Sequence, residues 1–168
     1  MEHLSTVELV ACGNNEFRNE RYAQALVFYK AASMKKDFDT VDFAHLARTY
    51  AKLELFDQAK EAFELFLAKY PDAYIERFQL GLVLRDLNNA DNAIEIFDQV
   101  LAQEPTFAPA LYYKSLVCIE KDDLESAKFL LSELLRNTED DNLYVKLTNE
   151  LIESLNLEIN VEASPSEQ

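Results

Sequence analysis

Apolar and polar residues along FDQAKEAFELFLAKYP, residues 56–71, fall as they do on an amphipathic helix, and the pattern stops at Pro71. Small Ala59, aromatic Phe63 and Pro71 return as Ala93, Phe97 and Pro105 in ADNAIEIFDQVLAQEP, residues 90–105. Each has moved by the same 34 residues. Stepping by that interval along the whole chain aligns four alanines: Ala25, Ala59, Ala93 and Ala127. Twelve residues before them stand the small Gly13, Ala47, Gly81 and Ser115. Four residues after them stand the large apolar Tyr29, Phe63, Phe97 and Leu131, and twelve after them Asp37, Pro71, Pro105 and Glu139.

Packing explains this grammar. Two helices cross closely only where their facing side chains are small, and large rings then fill the space beside the crossing. One helix pair cannot bury its own apolar face, so each copy supplies part of the next copy's core.

On these residues the chain resembles the tetratricopeptide repeat (TPR) family, whose unit of 34 residues is a pair of antiparallel helices, A and B. Residues 13–32, 47–66 and 81–100 fit well, and 111–135 fit more loosely. The resemblance implies an all-α fold, a right-handed superhelical α-solenoid of helix pairs. It sets repeats at about 6–39, 40–73, 74–107 and 108–141 within a domain of residues 5–157, ending in a capping helix at about 142–157. Residues 158–168 are expected to be a disordered acidic tail.

Several positions depart from the family pattern. The first large residue of helix A is Leu9, Phe43, Arg77 and Leu111, so the third unit is unusual. The turn inside each pair, where glycine is usual, holds Glu20, Glu54, Asn88 and Asp122. Asn and Asp tolerate a left-handed backbone better than Glu, so the two Glu turns are expected to differ from the others. The second small position of helix B drifts through Ala32, Phe66, Val100 and Leu134.

End signals refine the elements. Ser5 to Glu8 reads as a capping box, with Leu4 and Leu9 placed as a hydrophobic staple. Asp72 and Thr106 are expected N-caps for later A helices, and Pro109 falls in a first turn. Leu143, Leu147, Leu151 and Leu155, with Ile152, predict the apolar face of the last helix, a cap or an interaction surface.

Composition narrows the function. Only 2 glycines and 4 prolines in 168 residues suit helices, and 49% apolar content suffices for a core. The net charge of −15 argues against nucleic acid and against anionic membranes. It is uneven, with 5 basic and 4 acidic residues in 1–36 against 1 and 8 in 139–168. No apolar run is long enough for a membrane span, and no signal peptide is visible. Cys12 and Cys118 read as free thiols of a cytoplasmic protein. His3 and His45 stand without a nucleophile or metal-ligand partner at fixed spacing, and no phosphate loop occurs. The expectation is a protein that is not an enzyme, with no cofactor and no metal.

The resemblance places partner binding in a concave groove lined by the A helices. By register that face holds Val10, Asn14, Phe17, Arg18, Arg48, Lys52, Phe78, Leu82, Arg85, Tyr112, Leu116 and Ile119, with Val7, Val41, Ala44, Ile75, Asp86 and Glu120 beside them. Apolar groups with a few cations suit an extended peptide or a docked helix. Arg48 and Arg85 are candidate anchors for a ligand carboxylate, unless the cations pair with Asp86, Glu120 and other acids of the fold. The clamp by which some TPR co-chaperones hold acidic tails is matched at Asn14 but not at Val10, His45, Ile75 or Gln79. The expected partner is therefore a protein or peptide bound by a scaffold or adaptor. Exposed repeat ends leave room for a homodimer. The other candidate is a small acidic chaperone like those of type III secretion, although the helical segment those carry before their repeats has no counterpart here.

Overall fold

A computed structural model describes residues 3–159. Among them are nine α-helices and one short 3-10 turn, Thr40–Asp42, with no strand. The chain divides into two compact units, Met1–Asn88 and Asn89–Gln168. The first contains α1 (Thr6–Arg18), α2 (Tyr22–Ser33), α3 (Phe43–Lys52), α4 (Phe56–Lys69) and α5 (Tyr74–Asp86). The second contains α6 (Ala90–Gln103), α7 (Ala108–Glu120), α8 (Leu124–Asn137) and α9 (Leu143–Leu155). Among the described residues, no helix is long and apolar enough to cross a membrane. The expected tail lies almost wholly outside the described residues.

In the first unit α1 packs on α2 and α3 on α4, while α2–α3 and α4–α5 contacts join successive pairs. In the second, α7 packs on α6 and α8, and α9 lies against α7 and α8. The repeat register is the core. All four alanines and all four large residues one turn later are fully buried. Gly13, Ala47, Gly81 and Ser115 are buried too. The drifting positions Ala32, Phe66, Val100 and Leu134 are also buried, so the extra volume fills the interior instead of facing water.

The turns inside the pairs correct one expectation. Glu20, Glu54, Asn88 and Asp122 all take left-handed backbone, with φ of 59°, 58°, 56° and 63°. The Glu turns do not differ because the same hydrogen bonds impose the conformation. Arg21 N–H donates to Glu16 C=O at 2.9 Å and Glu20 N–H to Phe17 C=O at 3.0 Å. Leu55 with Glu54, and Asp123 with Asp122, repeat this double closure of a helix end. A glutamate pays for that φ with a Cβ contact that glycine lacks. Glu54→Gly is therefore expected to stabilise the protein by about 0.5–1 kcal/mol. In a thermal melt the midpoint should rise by roughly 2–4 °C per kcal/mol. A lower midpoint would show that the Glu54 side chain contributes more than its strain.

Helix starts follow the sequence at one end and not elsewhere. The Ser5 capping box is present, with Ser5 N–H donating to Glu8 Oε2 at 2.8 Å and Glu8 N–H to Ser5 Oγ at 3.3 Å. Pro109 does sit in the first turn of α7. Asp72 and Thr106, however, are not N-caps; Ala73 and Phe107 are, without side-chain caps. The chain after each proline first closes a turn, Ala73 N–H to Tyr70 C=O and Phe107 N–H to Glu104 C=O. That turn moves the helix start on by one residue.

The last helix is rotated from its expected face. Val145 and Thr148 are its buried residues, whereas Leu143 and Leu155 are exposed. Residues four apart advance about 400° on a helix, so a run of four drifts around it by about 40° per step. Leu147, Leu151 and Ile152 are half-buried, so the leucine run lies along one edge of the buried face and not at its centre.

Candidate functional site

The A helices of the first unit bring predicted groove residues from three separate stretches of chain together. Phe17 from α1, Arg48 and Lys52 from α3, and Leu82 from α5 line one cleft of about 300 Å³. Ala51, Gln79, Val83 and Asp86 complete its walls, with the core ring of Phe63 beneath. Phe17 is held there by packing on the Ala25–Tyr29–Leu46 cluster and by an edge-on contact with Tyr22 at 5.2 Å.

The other predicted residues of this unit serve mainly the fold. Val10 packs on the same cluster as Phe17. Phe78 is buried. Asn14 Oδ1 accepts the Tyr29 hydroxyl at 2.7 Å, and exposed Arg18 donates from Nε to the Asn14 carbonyl at 3.3 Å. In the second unit Tyr112 and Ile119 pack on the Ala108–Leu111–Cys118 cluster. Tyr112 also lies 5.7 Å from the Tyr144 ring, and Leu116 is half-buried.

Electrostatics separate the two cations of the cleft. Arg48 is already engaged: Nη1 donates to Glu76 Oε1 at 3.1 Å, and Nη2 lies 3.3 Å from His45 Nδ1. Both members of the Arg48–Glu76 pair are largely shielded from water. Arg85 is half-buried and is not free either. Lys52, by contrast, is exposed and makes no ion pair among the described residues; its Nζ stands 5.9 Å from the Tyr22 ring centroid. Internal pairing thus occupies Arg48, as the alternative to the anchor role required, and Lys52 is the cation left at the rim.

Behind Arg48, the half-buried His45 ring stacks on Tyr29, with centroids 5.9 Å apart and planes 12° apart. Burial pushes its imidazole below the usual range, and the Arg48 charge adds to this, against opposing pulls from Asp42 and Glu76. A neutral imidazole can accept the Arg48 N–H at Nδ1. Burial likewise raises the Asp42 carboxyl and pushes the Tyr29 phenol up to about 12.

The thiols of Cys12 and Cys118 are free, Cys118 buried and Cys12 only partly so. Among the described residues, no group of three or more His, Cys, Asp or Glu stands together as a metal site would require. The cleft therefore offers apolar walls, the Lys52 cation, the Gln79 amide and the Asp86 carboxylate, which is not free. Gln79 enters the site although its mismatch to the co-chaperone clamp gave it no role in the sequence. Phe63 and Val83 enter from beneath because the core and the cleft share a wall.

Comparison with known proteins agrees with this architecture. Two family models, each described as tetratricopeptide repeat, match residues 45–106 and 84–151 and overlap between them. The solved structure of YrrB, described as a TPR protein with an unusual peptide-binding site, aligns with a TM-score of 0.78 at 22% identity. That alignment covers 86% of this chain and 74% of YrrB. MamA from Desulfovibrio magneticus RS-1 gives 0.77 at 16% identity, covering 90% and 85% of the two chains. TTC0263, a thermophilic TPR protein in Thermus thermophilus, gives 0.69 at 21% identity, covering 90% and 83%. At such identities these likenesses establish the fold.

Proposed function

The chain belongs to the tetratricopeptide repeat family, and from that premise we propose that it is a protein-interaction scaffold whose first unit takes a peptide segment in the cleft between its A helices. Proteins of this family are generally scaffolds and not enzymes, and the reading includes no catalytic step. The observation that carries it is the convergence of Phe17, Lys52 and Leu82 on one cleft from helices far apart in sequence. Apolar walls with a charged rim suit a short segment that buries one part and leaves another wet. The peptide-binding site named for YrrB supports the idea that this fold can hold a peptide. Free Cys12 and Cys118 suit a reducing compartment such as the cytoplasm.

Affinity capture from a native extract, with protein-level identification, tests the reading. Wild type is compared with Lys52→Glu/Leu82→Gln after circular dichroism has shown both to be folded. Arg48 is left intact, because a glutamate there would face Glu76 and confound binding with stability. One partner retained by wild type and lost by the variant is the expected result. A partner retained by both moves the site out of the cleft. A broad set of unrelated apolar clients would instead favour the chaperone reading.

A further inference from the structure

The cleft also carries a statement about what enters it. We propose that it is a pocket for a single tryptophan or tyrosine side chain of the partner peptide, with a carboxylate of the same peptide placed over Lys52; this rests on the scaffold reading above. A volume of about 300 Å³ is at the lower end of the roughly 300–1,000 Å³ that ligand clefts span, which suits one large side chain and not a whole helix.

Three features choose the side chain. The apolar walls, Phe17, Leu82 and Val83, demand a large apolar body. Arg48 and Lys52 border the same space, and cations at the edge of an apolar cleft favour the face of an aromatic ring over an aliphatic chain. Gln79 then separates the aromatics. Its Oε1 is buried and has no hydrogen-bond partner. The terminal torsion of a glutamine is broad and soft, so the amide can turn its oxygen to a donor delivered into the cleft. Phenylalanine, leucine and methionine fill the walls but leave that acceptor bare. The indole N–H and the tyrosine O–H supply both the body and the donor.

Charge complementarity places the carboxylate. Arg48 already has Glu76, whereas Lys52 makes no ion pair among the described residues and stands beside the Tyr22 ring. A basic residue beside the aromatic would meet Lys52 with like charge, and the Asp86 carboxylate of the same wall is already engaged within the fold, so it offers that residue less than Lys52 offers a carboxylate.

The test is a titration of the isotopically labelled full chain, followed by amide shifts in nuclear magnetic resonance. The probes are acetyl-Asp-Trp-Ala-amide, its Tyr and Phe counterparts, and acetyl-Lys-Trp-Ala-amide. The Trp and Tyr peptides are expected to shift amides around Arg48–Lys52 and Gln79–Val83, and to bind about tenfold more tightly than the Phe peptide. Gln79→Leu should abolish that preference, with Gln79→Met in its place if the first does not fold. Lys52→Gln should remove the preference for Asp over Lys, expected to be about two- to fivefold at an exposed site. Equal binding of the Trp and Phe peptides, or a preference that survives loss of Gln79, overturns the inference while leaving the scaffold reading intact. Shifts confined to other parts of the chain overturn it as well, and the capture experiment then decides the scaffold reading separately.

Discussion

Phe63→Ala is expected to lower stability by about 3–5 kcal/mol, the range for truncating a fully buried aromatic core residue. Phe63 has no exposed surface and stands one turn after Ala59, where α4 fits against its partner helix. Alanine there removes the whole ring and leaves a cavity in the packing of α4. Natural domains have a margin of about 5–15 kcal/mol, so the first unit should lose most of it. Urea unfolding followed by helical circular dichroism would read the change as a lower midpoint with an unchanged slope. The same ring lies beneath the cleft, so any folded fraction should also bind its partner less tightly. A loss below about 1 kcal/mol would mean that the register position is not the core position that its burial indicates.

The same residue marks how far the sequence could be read. Its place was legible because helix crossing leaves little choice: small residues where axes approach, large ones beside them. That constraint repeats every 34 residues, and the structure buries Ala25, Ala59, Ala93 and Ala127 together with Tyr29, Phe63, Phe97 and Leu131. Backbone-driven features were harder to read. Glu20 and Glu54 adopt left-handed φ because hydrogen bonds at the helix ends demand it, and side-chain preference yields to them. Ala73 and Phe107 displaced Asp72 and Thr106 as caps through turns that no single residue announces. The cleft was partly legible. Register alone placed Phe17, Arg48, Lys52 and Leu82 on one face. It could not tell that Arg48 already has Glu76, because that pairing joins residues 28 apart on different helices. Nor could it assign Gln79, whose interest lies in an oxygen that only the folded chain leaves buried and unpaired.

Gly13→Ala is expected to destabilise the protein by about 1–3 kcal/mol, although the same change at an exposed helix position would stabilise it by about 1 kcal/mol. The sign is decided by Tyr29. A Cβ built on Gly13 lies 2.6 Å from Tyr29 Cε1, 2.8 Å from Cδ1 and 2.9 Å from Cζ. Three contacts below 3.0 Å with one ring require the ring or α1 to move. The ring is fully buried, and its hydroxyl donates to Asn14 Oδ1 at 2.7 Å, so moving it also loosens that bond. Overpacking at about 1–3 kcal/mol and a weakened hydrogen bond at about 1 kcal/mol together outweigh the helix gain. A double-mutant cycle separates these effects. In a Tyr29→Leu background the collision disappears while the helix preference for alanine remains. There Gly13→Ala should be neutral or stabilising, by up to about 1 kcal/mol. Gly13→Ala raising the stability of the wild-type chain would refute the close approach. The outcome also bears on binding, because α1 carries Phe17 four residues further on. If α1 yields instead of the ring, Phe17 leaves the cleft wall, and the variant should lose affinity for the partner peptide even where it remains folded.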